Sequence, residues 1–356
     1  MGFAWKFRLV SLMLVVLLSG CAFRSQHVLR QTSLGFNKAL QHTLGEQMLL
    51  NLVRLRYGES PVFLEVTSIS SQYSYSGTIS GKADIKEVSP DSYGVNLGFT
   101  FAEKPTFTLI PLQGEKFARR LLSPIPIDHL ILLLNSGWRV DRVLRLCVQS
   151  LNGIPNAPTA SGPTPEEAPQ FEEFLELVYK LEALRKNGKL RFAYVKKENQ
   201  AIPALILSGQ GSLEKEVREM LGLIDAPYYP LVGLEAPKGP SVIQLETRSL
   251  IGVLFYLSHG IEIPVKDLEN GKAIITRDQD GRYFSWQRLL GDLFNIHQNE
   301  QLPSEANIAV KYRGRWYYIS DQDTSTKSTF ILLQQLFALE ASKGKGMSPL
   351  LTLPVN

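Results

Sequence analysis

The chain has 356 residues, 44% of them hydrophobic and 20% charged, which is long enough for two domains and too apolar for wholesale disorder. The formal charge is +4; without Lys6 and Arg8 the remainder carries 36 basic against 34 acidic groups, a balance that argues against nucleic acid as a partner. Only two cysteines occur, Cys21 and Cys147.

Lys6 and Arg8 precede an apolar run of about a dozen residues ending at Gly20. A transmembrane helix needs about 20 apolar residues, so this run is short for one. A buried core helix would not begin at residue 9 behind two cations. The pattern predicts a signal peptide over residues 1–20. Leu18-Ser19-Gly20-Cys21 resembles the bacterial lipobox, in which a small pair precedes an obligatory cysteine. The resemblance implies cleavage between Gly20 and Cys21, with acyl chains on the Cys21 sulfur and the new amino group. Two or more chains anchor a protein stably where one is marginal. Ala22 follows, rather than Asp, and among Gram-negative lipoproteins that resemblance implies export to the outer membrane. The expected location is therefore the cell envelope, with the body in the periplasm and residues 21–33 as a polar tether.

Phe36, Leu40, Leu44, Met48, Leu52 and Leu55 recur at helical spacing and predict a helix running to about Tyr57. Gly58 is placed as the left-handed residue after its end, and Pro61 stops continuation. Residues 62–71 read as a strand. Over 74–102 the alternation is nearly strict. Tyr75, Ile79, Ala83 and Ile85 share one side with glycines 77 and 81; after E-V-S-P-D-S, Tyr93, Val95, Leu97, Phe99 and Phe101 do the same. This predicts a long amphipathic hairpin, and P-T-F-T-L-I-P adds a further strand candidate.

Residues 113–151 return to helical spacing in three pieces, broken at Pro124/Pro126 and at Gly137. The last piece carries the stripe Val140, Val143, Leu144, Cys147, Val148 and Leu151, with Arg139, Arg142 and Arg145 off it. Cys147 reads as a packed, inert thiol. Residues 152–169 are rich in proline and read as a linker, placing a domain boundary between 34–151 and 170–356.

In the second region a helix is expected at 170–187, closing at Asn187-Gly188, then strands near 190–196, 203–208, 229–234 and 241–246. A helix over 248–259 leads to I-E-I-P, A-I-I-T and a D-Q-D-G turn into Y-F-S-W. N-I-A-V-K-Y-R-G-R-W-Y-Y-I reads as a hairpin turning at Arg313-Gly314, and a helix covers 325–340. Helices and strands mix without regular βαβ spacing, so the expected class is α+β: an N-terminal helix, antiparallel hairpins and a helical segment, then a second α+β region.

Three stretches, N-L-V-R-L-R-Y-G-E-S-P-V-F-L (51–64), S-G-W-R-V-D-R-V-L-R-L-C-V-Q-S-L-N-G (136–153) and Y-R-G-R-W-Y-Y-I-S-D-Q-D-T-S-T-K-S-T-F (312–330), together resemble an uncharacterised family of bacterial lipoproteins. The resemblance implies a lipid-anchored protein and carries no activity.

No motif for chemistry is complete. Asp321-Gln-Asp323 after an apolar strand resembles the D-x-D of haloacid-dehalogenase-type phosphatases, but Ser325 stands where Thr or Val belongs and only 33 residues follow Asp323. A helix N-cap explains the same residues. Asp278-Gln-Asp280-Gly281 lacks the ligands of a calcium loop and fits a hairpin turn. Gly209-Gln-Gly211 between a strand and a helix suggests a phosphate cradle, yet Glu214 replaces the third glycine. Histidines 27, 42, 129, 259 and 297 never pair with one another at helical spacing, so no metal site and no cofactor is expected. Arg54 and Arg56 suit the C-terminal end of the first helix. The expected function is a non-enzymatic binding or scaffolding component of the envelope, held to the membrane by lipid on Cys21 and meeting an envelope protein partner. The alternatives are a subunit of an oligomeric pore that inserts the 74–102 hairpin, whose strands approach the ~9–11 residues that cross a bilayer, and an unrecognised enzyme.

Overall fold

A computed structural model describes residues 34–84, 92–163, 166–197 and 200–341. The signal peptide, the tether, Ile85 and most of the E-V-S-P-D-S turn lie outside the described residues. Helices and strands are mixed in antiparallel and mixed sheets, an α+β fold as expected.

The chain forms two compact units. Among the described residues, unit 1 takes those from 34 to Pro61 and again from Arg119 to 341, and unit 2 takes those within Val62–Ala118. The described residues of the proline-rich 152–169 stretch fall in unit 1, where Asn156, Ala157 and Ala160 are fully buried. These buried positions anchor the segment to the core while Pro158, Thr159 and Pro163 stay exposed, and composition alone does not distinguish such a loop from a linker.

In unit 1, helix α1 spans residues 34–56. Its predicted stripe is buried from Met48 onward, while Leu44 stays exposed. It ends in a Schellman turn: the Gly58 N–H donates to Leu55 O at 3.0 Å and the Glu59 N–H to Arg54 O at 2.9 Å. Gly58 has φ 74°, the left-handed conformation its position predicts.

Three helices follow where three were expected: α2 (Glu115–Leu122), whose first four residues fall in unit 2, α3 (Ile127–Asn135) and α4 (Val140–Cys147). The last stripe residues do not continue the helix. Val148 has φ −113° and ψ 132°, and Val148–Leu151 form strand β3. An apolar run that is buried on every side reads equally well as either element, and sheet pairing settles it. Every residue of α4 is buried, including Arg142 and Arg145, which the spacing placed off the apolar stripe.

The main sheet has six strands in the order β4-β3-β8-β7-β6-β5, with β4 at Ile154–Pro155, β5 at Leu190–Lys197, β6 at Gln200–Leu207, β7 at Tyr229–Val232 and β8 at Ile243–Thr247. All its pairs are antiparallel except β7 with β8. Ile131 and Leu134 of α3, Leu144 of α4 and Leu181 of α5 (Glu172–Lys186) meet Phe192, Leu205, Leu231 and Leu245 of the sheet around a void of only about 10 Å³. That burial is the main stabilising term of this layer, at about 25 cal/mol per Å² of apolar surface.

Helices α6 (Ser212–Met220) and α7 (Leu250–Ser258), the short α8 (Val265–Glu269) and α9 (Gln287–Leu290), and a three-stranded antiparallel sheet complete unit 1. That sheet has the order β10-β11-β9, with β9 at His297–Asn299, β10 at Ala306–Tyr312 and β11 at Arg315–Ser320. The β10–β11 turn falls at Arg313-Gly314 as read from the sequence. Arg313 takes φ 46° and Gly314 φ 82°, the mirror-image turn that suits the twist of paired strands. Helix α10 spans Thr324–Ala341. Among the described residues no helix is long and apolar enough to cross a membrane.

In unit 2 the separate strands read from 62–111 merge into two. β1 spans Leu64–Asp84 and β2 spans Ser92–Pro111, paired antiparallel in a two-stranded sheet of their own. The base is extended by the Leu112 N–H donating to Phe63 O at 2.9 Å. Register pairs Tyr75 with Phe101, Ile79 with Leu97 and Ala83 with Tyr93. Glycines 77 and 81 stand opposite Phe99 and Val95. Directly opposed residues share a face, so the two alternating apolar sets coincide. The second row pairs Ser76 with Thr100, Thr78 with Gly98 and Ser80 with Asn96.

Candidate functional site

Gly20 and Cys21, the residues of the expected cleavage and lipid attachment, lie outside the described residues. The other candidates fall at separate places in unit 1.

Asp323 caps α10: its carboxylate accepts from the Thr326 N–H at 2.9 Å and the Thr326 hydroxyl at 2.6 Å. Asp321 binds Lys327 Nζ at 2.9 Å, and that cation holds its carboxyl below the usual range. The D-x-D stretch is therefore built as a helix start. Asp278 accepts from the N–H groups of Asp280 and Arg282 across a turn with Gly281 at φ 77°.

The glycine cradle exists, and the chain supplies its own anion. Gly211 is the N-cap of α6 and Gly209 has φ 102°. A Cβ on Gly209 would lie 2.8 Å from Glu214 Oε1, and one on Gly211 2.5 Å from Glu214 Oε2. Glu214 is buried at the third position of the helix, where a carboxylate meets the exposed N–H groups and the positive end of the dipole. The residue that breaks the phosphate-loop pattern thus puts its carboxylate against both glycines.

His129 and His297 pair with Glu340 and Glu262 at 2.6 and 2.8 Å, and His42 lies 3.4 Å from Glu46. Among the described residues no three His, Cys, Asp or Glu side chains converge as a metal site. Cys147 is fully buried, which pushes its thiol up to about 12. It is the inert group its helical stripe predicts.

One buried polar cluster was not legible in the sequence. His259 follows α7 and is buried, its ring stacked on Trp286 at 3.9 Å between centroids. Neither ring nitrogen has a partner at hydrogen-bonding distance. Arg56, at the end of α1, is buried beside it, donates from Nη1 to Ile274 O at 2.9 Å and leaves Nε unpartnered. Burial brings the Arg56 guanidinium down to about 10, so it remains charged at neutral pH. Burial, and then the Arg56 charge, push His259 well below its ordinary value of 6.5, against a weaker pull from the Ala160 backbone. The cluster is a neutral imidazole next to a fixed cation.

The sign of its pH dependence follows. The unfolded chain protonates His259 below about 6.5, and the folded chain does not, so stability falls as pH drops through 6.5. The slope approaches ~1.4 kcal/mol per pH unit where the two states differ by one proton. His297 acts oppositely: Glu262 raises it, so its contribution is present below 6.5 and is lost as pH rises through the folded value. Urea midpoints measured from pH 7.5 to 5 are expected to fall, and His259→Phe is expected to flatten that slope. An unchanged slope in the variant would refute the assignment.

A second network joins α1 to the β10–β11 hairpin. The Tyr57 hydroxyl donates to Asp267 at 2.8 Å and lies 2.7 Å from the Tyr317 hydroxyl. Arg313 covers the Tyr57 ring at 4.5 Å and pairs with Glu59 at 2.9 Å. Its left-handed backbone, unusual for an arginine, is that of the two-residue turn.

Scans against protein-family models, curated proteins and solved structures found nothing that matches this chain.

Proposed function

We propose that this chain is a lipid-anchored protein of the cell envelope that works by binding and scaffolding. The observation that supports the reading best is the β1/β2 ribbon. Strands of 21 and 20 residues pair with each other and, among the described residues, with no other strand. A two-stranded hairpin is at best marginally stable alone in water, and its free edges are ready-made templates for another chain. A protein that maintains such an element is built to meet a partner. The lipobox resemblance at Leu18–Cys21 supplies the membrane attachment, and Ala22 favours the outer membrane.

The test of the anchor is metabolic labelling with palmitate in a bacterial host. The wild-type protein is expected to carry label and to require detergent for extraction. Cys21→Ser is expected to carry none and to keep the size of the uncleaved precursor. Unlabelled wild type, or labelled Cys21→Ser, would overturn the reading.

A further inference from the structure

We infer that the β1/β2 ribbon joins copies of this chain edge to edge, β2 of one copy pairing with β1 of the next. The inference deepens the proposed function and rests on its lipid anchor for the common orientation of the copies.

Four observations carry it. First, among the described residues the distal strands, Ser74–Asp84 and Ser92–Ala102, pair with each other and with no further strand, one outer edge on each. Second, the distal part of each edge is unprotected, whereas the base carries Glu65, Glu103, Lys104 and Pro105. Natural edge strands are blunted by charges, prolines or bulges. From Ser74 to Asp84 and from Ser92 to Ala102 the only charges are Lys82 and Asp84, which cancel, and there is no proline. The one irregularity of register falls at Val66/Ser68, near the base.

Third, the distal half is two-faced. Aromatic and aliphatic residues pair with one another or stand opposite glycine along one row; serine, threonine, asparagine, glycine and alanine dominate the other. Strands this amphipathic are stable when one face is covered or in contact with lipid. Fourth, strand direction makes a second copy the fitting occupant. When two ribbons stand side by side with their turns at the same end, β2 of the first runs antiparallel to β1 of the second. The up-and-down pattern then continues with the same hydrogen-bond geometry, and an even register keeps every apolar row on one side. Lipid on Cys21 holds all copies in the same sense relative to the membrane, which is the arrangement this pairing needs. Repetition is head-to-tail and closes when the rotation completes a ring, which removes every edge.

The test uses the full chain extracted in detergent, with native mass and palmitate label as readouts. Register pairs Tyr73 with Glu103, so residues 74–102 can be replaced by Asn-Gly, a two-residue turn. The wild type is expected at a multiple of the chain mass and the shortened form at the mass of one chain, both labelled. A labelled wild type that is monomeric, or a shortened form of undiminished mass, overturns the edge pairing and leaves the anchor intact. An unlabelled wild type that still assembles overturns the anchor and supports the pairing.

A disulfide scan keeps the ribbon whole. One tagged copy carries Ser76→Cys; a second, differently tagged copy carries in turn Gly94→Cys, Asn96→Cys, Gly98→Cys, Thr100→Cys or Ala102→Cys. Cys147 is buried and offers no competing thiol. A mixed disulfide is expected at one or two neighbouring even positions. Its absence at all five overturns the proposal.

Discussion

Arg248→Met is expected to lower the stability of unit 1 by roughly 4 kcal/mol, a large part of the 5–15 kcal/mol of an ordinary domain. Arg248 is fully buried just before α7. Nη1 donates to Arg145 O at 2.9 Å and Val148 O at 2.5 Å, Nη2 to Asn156 O, and Nε to the Ser161 hydroxyl at 2.9 Å. The guanidinium also covers the Tyr256 ring at 4.1 Å. One side chain therefore ties the end of α4, the start of β3 and the 156–161 loop. Asn156 Nδ2 shares two of the carbonyls, at 2.9 and 2.6 Å, so they keep partial partners when Arg248 is lost. Bonds from a charged donor are worth about 1.5–3 kcal/mol each, and Asn156 O is left with a buried deficit. Arg248→Lys keeps the charge without the planar fork and should recover less than half of the loss. Ser161→Ala removes one acceptor and should cost about 1 kcal/mol. Urea denaturation of the three variants measures these values; a methionine variant within 1 kcal/mol of wild type would refute the role.

Gly260→Ala is the second large effect, at about 3 kcal/mol by overpacking. A Cβ there would lie 2.5 Å from Phe294 O and 3.3 Å from Leu257 O. Neither side can retreat easily. Gly260 O accepts from the Ile296 N–H at 3.0 Å, and Ile296 O accepts from the Glu262 N–H at 2.9 Å. These bonds hold His259 and the segment after it against the 294–296 chain. Gly35→Ala is the control. Gly35 lies in α1 with nothing within 4 Å of its Cβ position, so the same change should be neutral or stabilising by up to ~1 kcal/mol. A thermal melt of both variants separates steric cost from helix propensity, and equal shifts would rule out the clash.

Local signals served well where one residue type decides a local conformation. Gly58 ends α1, Asp323 starts α10 and Arg313-Gly314 turns the last hairpin, because φ preference and exposed helix N–H groups act within a few residues. Alternation at 74–102 anticipated a paired hairpin, whose register sets Tyr75 opposite Phe101 and Ile79 opposite Leu97. It missed that the strands run on to Leu64 and Pro111, because the base lacks strict period-two patterning.

The sequence by itself determined the α+β class, the three-helix run after 113, the inert Cys147 and the readings that make Asp321, Asp323 and Asp278 parts of turns and caps. Tertiary structure decided what happens to the buried cations. Arg142 and Arg145 lie off an apolar stripe in the sequence, and Arg248 has no local signal of burial. Each is buried because carbonyls and carboxylates from distant segments meet it: Ser325 O at 2.6 Å for Arg142, Asp292 at 2.8 Å for Arg145, and the 145–157 carbonyls for Arg248. Tertiary structure likewise placed His259 beside Arg56, joined the 152–163 loop to the core, and put Glu214 in the glycine cradle. Hydrogen-bond partners from remote segments offset the cost of burying a polar group, and short-range periodicity does not encode where those partners will be.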